Sequence, residues 1–124
     1  MDERRRYVRL DTRLKIVYTV LQNEKDALVA SEAKDISGGG IRIFLSEPIP
    51  IHTLLKLTIY LPDEPQAIVC SGKVVWVEEF MVLQEEKGKS GDRYEAGISF
   101  TEINPKDRDR IIKYVILGYA SPKK

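Results

Sequence analysis

Very little in this sequence is equipped for covalent chemistry. Among 124 residues there is one cysteine and one histidine. A lone cysteine, Cys70, excludes an internal disulfide and fits a reducing compartment. No His/Cys cluster has zinc-binding spacing, and no acidic loop resembles a calcium-binding EF-hand. His52 stands beside a turn in PIPIHTLL and reads as a surface loop residue. Cys70 lies in a strand-like run with no histidine near it in sequence, so it reads as a small packed side chain and not a nucleophile. No apolar run reaches the roughly 18 residues of a membrane span, and the charged start lacks the apolar core of a signal peptide. A large net charge is also missing. The formal value is +1, so general affinity for nucleic acid is not expected, and any anion site must come from local clustering. The expectation is a cytoplasmic protein, not an enzyme, with neither metal nor cofactor.

What the chain does have is alternation. From Val8 to Val20 the even positions are Val8, Leu10, Thr12, Leu14, Ile16, Tyr18 and Val20, while the odd ones begin Arg9, Asp11, Arg13, Lys15. Period two gives a strand one face for a core and one for water. DALVASEAKDIS reads as a weaker second strand. SGGG marks a turn, since successive glycines allow positive φ at low steric cost. Ile41, Ile43 and Leu45 alternate next, EPIP interrupts, and Leu55, Leu57, Ile59 and Leu61 form a fourth strand. After LPDEP comes AIVCSGKVVWVEEF, with Gly72 a candidate bulge. The polar QEEKGKSGD leads to a last strand with Tyr94, Ala96, Ile98 and Phe100 on one face. Six strands with short turn-rich connections favour a closed or nearly closed antiparallel β-barrel.

The period then changes. Asn104 is a good N-cap, Pro105 fits the first helical position and Asp107 suits the positive helix end. Ile111, Ile112, Val115, Ile116 and Tyr119 recur at helical spacing, predicting a C-terminal α-helix over 104–119 that packs on the barrel. No Gly/Ser/Pro-rich linker divides the chain, so it reads as one domain over 1–124: an arginine-rich arm at 1–9, a barrel at 10–103, and the helix.

Two stretches carry chemistry. RRRYVRLD places Arg4, Arg5, Arg6 and Arg9 within six residues. The ordinary fate of terminal charges is solvation. KDISGGGIRI sets Asp35 and Ser37 on one strand face and Ile36 on the other, with Gly39 and Gly40 close behind. A carboxylate can accept the N1–H and N2–H₂ edge of guanine. Arginine can fork onto guanine O6 and N7, clamp a phosphate, or stack on a base. A guanine nucleotide thus engages both the acid and the arginines, whereas a bare polyanion is repelled by Asp35.

Arg5-x-x-x-Arg9 followed by Asp35-x-Ser37-x-x-Gly40 resembles the paired signature of PilZ domains, bacterial receptors for cyclic di-GMP. GKVVW and YEAGISF extend the resemblance over nearly the whole chain. It implies a six-stranded barrel with the dinucleotide on its outer surface and the arginine segment folded over it. It also implies that Arg5 and Arg9 contact guanine and phosphate, that Asp35 lies on a guanine edge, and that Ser37, Gly39 and Gly40 complete the site. Arg6 lies inside the first motif. Arg4 precedes it, and some family members with an arginine there bind a stacked ligand dimer. Trp76 falls where several members carry a tryptophan near the ligand, although a strand tryptophan is also an ordinary core aromatic. Arg42 reads as an exposed strand arginine.

The resemblance further implies an effector partner, with motility, polysaccharide synthesis, pili and transcription all open. Two other readings stay open beside the receptor. One is a ligand-independent interaction module using Phe44, Tyr60 or Phe80. The other is a single-stranded nucleic-acid binder, which the acidic balance of the rest of the chain disfavours.

Overall fold

The computed structural model describes residues 7–21, 28–81 and 92–120. Arg4, Arg5 and Arg6 lie outside the described residues, as do the side chains of Phe80 and Tyr119.

Six strands form a closed antiparallel barrel: β1 Arg9–Val20, β2 Val29–Ser37, β3 Gly40–Leu45, β4 Leu54–Tyr60, β5 Ile68–Met81 and β6 Asp92–Glu102, in the spatial order β1-β2-β3-β6-β5-β4. Alternation is what closes it. Leu14, Ile16, Ile36, Ile43, Leu55, Leu57, Ile59, Ile68, Val74 and Ile98 point inward and are almost wholly buried. Closure gives each of the six described strands a neighbour on both sides.

Strict alternation fails at four register shifts, which re-aim side chains. On β1 the register shifts between Asp11 and Leu14, and on β2 between Ala33 and Asp35. The extra residue on β2 lets Ala33 and Ile36 both face inward while Asp35 and Ser37 face out. At Ser71/Gly72 the extra residue is Thr101 on β6 and not the glycine on β5, while between Val74 and Trp76 it lies on β5. Val74 therefore faces the core and the next inward residue is Val77, so Trp76 turns outward.

The helix α1, Pro105–Ala120, starts as its sequence implies. Asn104 Oδ1 accepts the Lys106 N–H at 2.8 Å, and the Asn104 carbonyl accepts those of Asp107 and Arg108. The face it buries is narrower than the apolar stripe in the sequence. Ile111 and Val115 are buried, Tyr114 hydroxyl meets Thr12 Oγ1 at 2.9 Å, and Gly118 backs onto Leu10 so tightly that a Cβ there would stand 2.5 Å from Leu10 Cδ2. With 111, 115 and 118 turned toward the barrel, Ile116 is left 57% exposed. Val8 also departs from the alternation, at 61% exposed, because it precedes β1 and no strand pairs with it.

Cys70 is buried, and burial pushes its thiol up to about 12, which keeps it a packed thiol. His52 is exposed in the loop before β4, at φ 78°, with its N–H bonded to the Val74 carbonyl.

Candidate ligand pocket on the barrel wall

The two-residue turn Gly38–Gly39 pairs Ser37 with Gly40, and the ladder then dictates what stands beside what. One lateral row across the outer wall runs Arg9, Ser37, Gly40, Ser99, Lys73 over β1, β2, β3, β6 and β5. The next runs Asp11, Asp35, Arg42, Gly97, Trp76. Most of both rows lines an open pocket of about 530 Å³, together with Tyr7 and Val75. That is the size class of small-ligand sites.

Asp35 is the electrostatic centre of the pocket. It lies on the outer wall yet is only 2% exposed, with Arg42 and Arg9 beside it. Its Oδ2 accepts Nε of Arg42 at 2.7 Å and also Nη2 of Arg42, while Oδ1 lies 3.9 Å from Nε of Arg9. The hydrogen bond to Asp35 raises the Arg42 pKa; burial opposes this, and the charges of Asp35, Glu95 and Asp11 add to it. At the pocket's flank Lys34 Nζ binds Glu95 Oε2 at 2.8 Å.

The second motif shapes the turn itself. Ser37 Oγ accepts the Gly39 N–H at 3.1 Å and faces the Gly40 carbonyl, and the Gly39 carbonyl accepts the Phe100 N–H at 3.0 Å. Gly40 has no room for a side chain, since its Cβ would stand 2.3 Å from the Ile98 carbonyl oxygen. Gly38 and Gly39 do not adopt the left-handed φ that the sequence led us to expect. They are bare because the Tyr7 ring lies against both, at 2.8 Å and 3.0 Å from where a Cβ would be. Arg108 holds the same corner, donating from Nε to the Gly38 carbonyl at 3.0 Å, with its guanidinium 5.7 Å from the Tyr7 ring centre.

Trp76 is on the pocket wall and not in the core. The five-membered ring of its indole fills the space over Gly97, where a Cβ would lie 2.2 Å from Nε1. So Arg9, Asp35, Ser37, Gly39, Gly40 and Trp76 come together from four strands and one turn. Sequence reasoning undervalued Arg42. The signal was there: once a two-residue turn joins Ser37 to Gly40, residue 42 must lie opposite residue 35. Of the exposed aromatics considered for partner contact, Tyr60 is 46% exposed. Phe44 is partly covered by the Arg13 guanidinium, 5.2 Å from its ring centre.

A barrel with a cationic and aromatic pocket on its outer wall defines a class, small β-barrels that hold a ligand outside the core. The sequence matches the PilZ domain family over residues 3–117, so this chain is a member of the PilZ family. No curated protein matches it. Several solved structures are similar, three of them as follows. The Bacillus subtilis inhibitor of motility MotI/DgrA superposes with a TM-score of 0.76 at 21% identity, over 99% of this chain and 55% of that one. The PilZ domain of YcgR from Escherichia coli, solved with c-di-GMP, gives 0.73 at 14% identity, over 95% and 93%. The K. pneumonia MrkH–c-di-GMP complex gives 0.69 at 20% identity, over 97% and 53%. At these identities the likeness is one of fold. The chain spans about half the length of MotI and MrkH.

Proposed function

We propose that this chain is a cytoplasmic receptor for cyclic di-GMP that acts as an adaptor and has no catalytic activity of its own. The observation that carries the reading is the assembly of Arg9, Asp35, Ser37 and Gly40 around one pocket in a PilZ-family chain. Cyclic di-GMP is a dianion with two guanine faces, and the pocket pairs arginine forks with an indole. YcgR and MrkH, two proteins with the same fold, have been solved with c-di-GMP.

Arg4, Arg5 and Arg6 supply the remaining cations from the N-terminal side. In an extended chain Arg5 and Arg9 stand about 13 Å apart on one side, so a bend near Tyr7 brings both onto one ligand. The arginine arm ahead of Tyr7 closes over the bound dinucleotide, at an entropy cost offset by arginine–phosphate bonds. Closure alters the surface offered to an effector protein. A ligand bound only by the closed arm supplies the differential interaction free energy such a switch needs.

The test uses Arg9→Ala and Asp35→Ala. Arg9→Ala removes a charge-assisted contact and Asp35→Ala removes the acid that holds the pocket's arginines, so each weakens cyclic di-GMP binding about ten- to a hundredfold while the barrel still unfolds cooperatively. Unchanged affinity in both variants overturns the reading.

A further inference from the structure

We infer that Arg42, held by Asp35, reads the O6 and N7 edge of a guanine, and so sets base specificity at this pocket. The inference rests on the receptor reading above and deepens it. Asp35 is nearly sealed, and its Oδ2 already takes two N–H groups, Nε and Nη2 of Arg42. These two donors form the side-on edge of a guanidinium. The end-on edge, Nη1 and the second N–H of Nη2, takes no part in that pairing. Arg42 lines the pocket, and its side chain is 27% exposed. A carboxylate that grips one edge of an arginine fixes the direction of the other, and a fixed planar fork matches two acceptors on a rigid base. Guanine offers such a pair in O6 and N7, whereas adenine replaces O6 with a donor amino group.

The position of Trp76 makes the same point independently. Arg42 pairs with Gly97 across β3 and β6, and the indole of Trp76 occupies the space above Gly97. A purine stacked against that indole turns an edge toward β3, one strand spacing of about 4.8 Å away. The side chain standing there is Arg42. Asp35 acts through it as a positioning residue. The same carboxylate lies beside Arg9, so one buried acid orients two arginines of the site.

The experiment titrates wild type and Arg42→Lys with cyclic di-GMP, cyclic di-IMP and cyclic di-AMP, and follows thermal unfolding of both. Lysine keeps a positive charge beside Asp35 but lacks the fork. We expect Arg42→Lys to bind cyclic di-GMP about ten- to a hundredfold more weakly. Hypoxanthine keeps O6 and N7 and lacks only the 2-amino group, so cyclic di-IMP suffers the same loss. Cyclic di-AMP, weak from the outset, binds both proteins alike. The inference is overturned if Arg42→Lys stays within about threefold of wild type for cyclic di-GMP, or loses as much for cyclic di-AMP. Should the variant fail to fold, wild type decides alone. Cyclic di-IMP within about fivefold of cyclic di-GMP supports the inference, and a larger loss, marking readout of the 2-amino group, overturns it. A wild type that binds no cyclic di-GMP overturns the receptor reading itself; binding by wild type with an unaffected Arg42→Lys overturns only this inference.

Discussion

Tyr7 lies against Gly38 so closely that a Cβ on the glycine would stand 2.8 Å from Tyr7 Cδ1. The contact fastens the residue where the arginine segment enters the fold to the turn that presents the second motif. Arg108 completes the clasp from the helix. Gly38→Val places a side chain where the ring sits, and Ile112 Cγ1 at 2.9 Å leaves no room on the other side. We expect it to cost about 1–3 kcal/mol, as overpacking usually does. It also weakens cyclic di-GMP binding, because the arm's root is displaced. Denaturant unfolding and titration of the same preparation check both; full affinity with a displaced ring contradicts the role given to Tyr7.

Trp76 is the only tryptophan, so its emission reports on the pocket without labelling. Ligand stacked on the indole changes that emission, and the change saturates with the binding curve. Gly97→Ala pushes the indole off β6, where the added methyl would meet Nε1 at 2.2 Å. The free protein's spectrum then shifts and affinity falls. A spectrum unaffected by saturating ligand removes Trp76 from the site.

How much of this was legible beforehand varied with how local the signal was. Period two named the six strands, and Asn104–Pro105 marked the helix start, because those signals sit in neighbouring residues. Val8 and Ile116 were misplaced because exposure depends on what covers a side chain, which periodicity does not record. Trp76 was ambiguous between core and pocket until the bulge after Val74 reversed its face. The glycines of the turn were rightly singled out for the wrong reason, since close approach of Tyr7 and not backbone φ requires them. Arg42 was hidden in an ordinary alternation, and only the hairpin register turns it into the partner of Asp35.

Asp35 and Arg42 should respond unequally to truncation. Arg42→Ala strands a carboxylate that is 2% exposed, while Asp35→Ala leaves a guanidinium that still reaches water at 27%. Leaving a buried charged acceptor unsatisfied costs about 1–3 kcal/mol or more. Arg42→Ala is therefore the more destabilising at neutral pH, measured by urea unfolding. Equal losses contradict the burial argument.

Alkaline stability carries a signature of Cys70. Burial holds its thiol at about 12 in the fold, against an ordinary value of 9.0. The folded state thus retains a proton that the unfolded state releases, so the contribution is complete below about pH 9 and is lost as pH rises toward 12. Tyr18, raised by burial and by Glu47, acts in the same direction at higher pH. Stability should fall between pH 9 and 11 with a slope of up to about 1.4 kcal/mol per unit from the thiol, and Cys70→Ala should flatten it. An identical slope in the variant contradicts this assignment.

Ligand stoichiometry tests Arg4, which lies outside the described residues. Two stacked dinucleotides carry four phosphate charges, more than Arg5 and Arg9 neutralise, so a further guanidinium matters more for a pair than for one ligand. Wild type is expected to take two cyclic di-GMP per chain and Arg4→Leu one. A single ligand in wild type, or an unchanged two in the variant, contradicts the pair.

The most direct measurement is a calorimetric titration of the purified chain with cyclic di-GMP, with GTP and a short RNA as controls. The account predicts saturable heat with cyclic di-GMP at ligand concentrations below about 100 μM, and much weaker responses to both controls. No heat with cyclic di-GMP at that concentration, or equal heat with GTP or RNA, contradicts it.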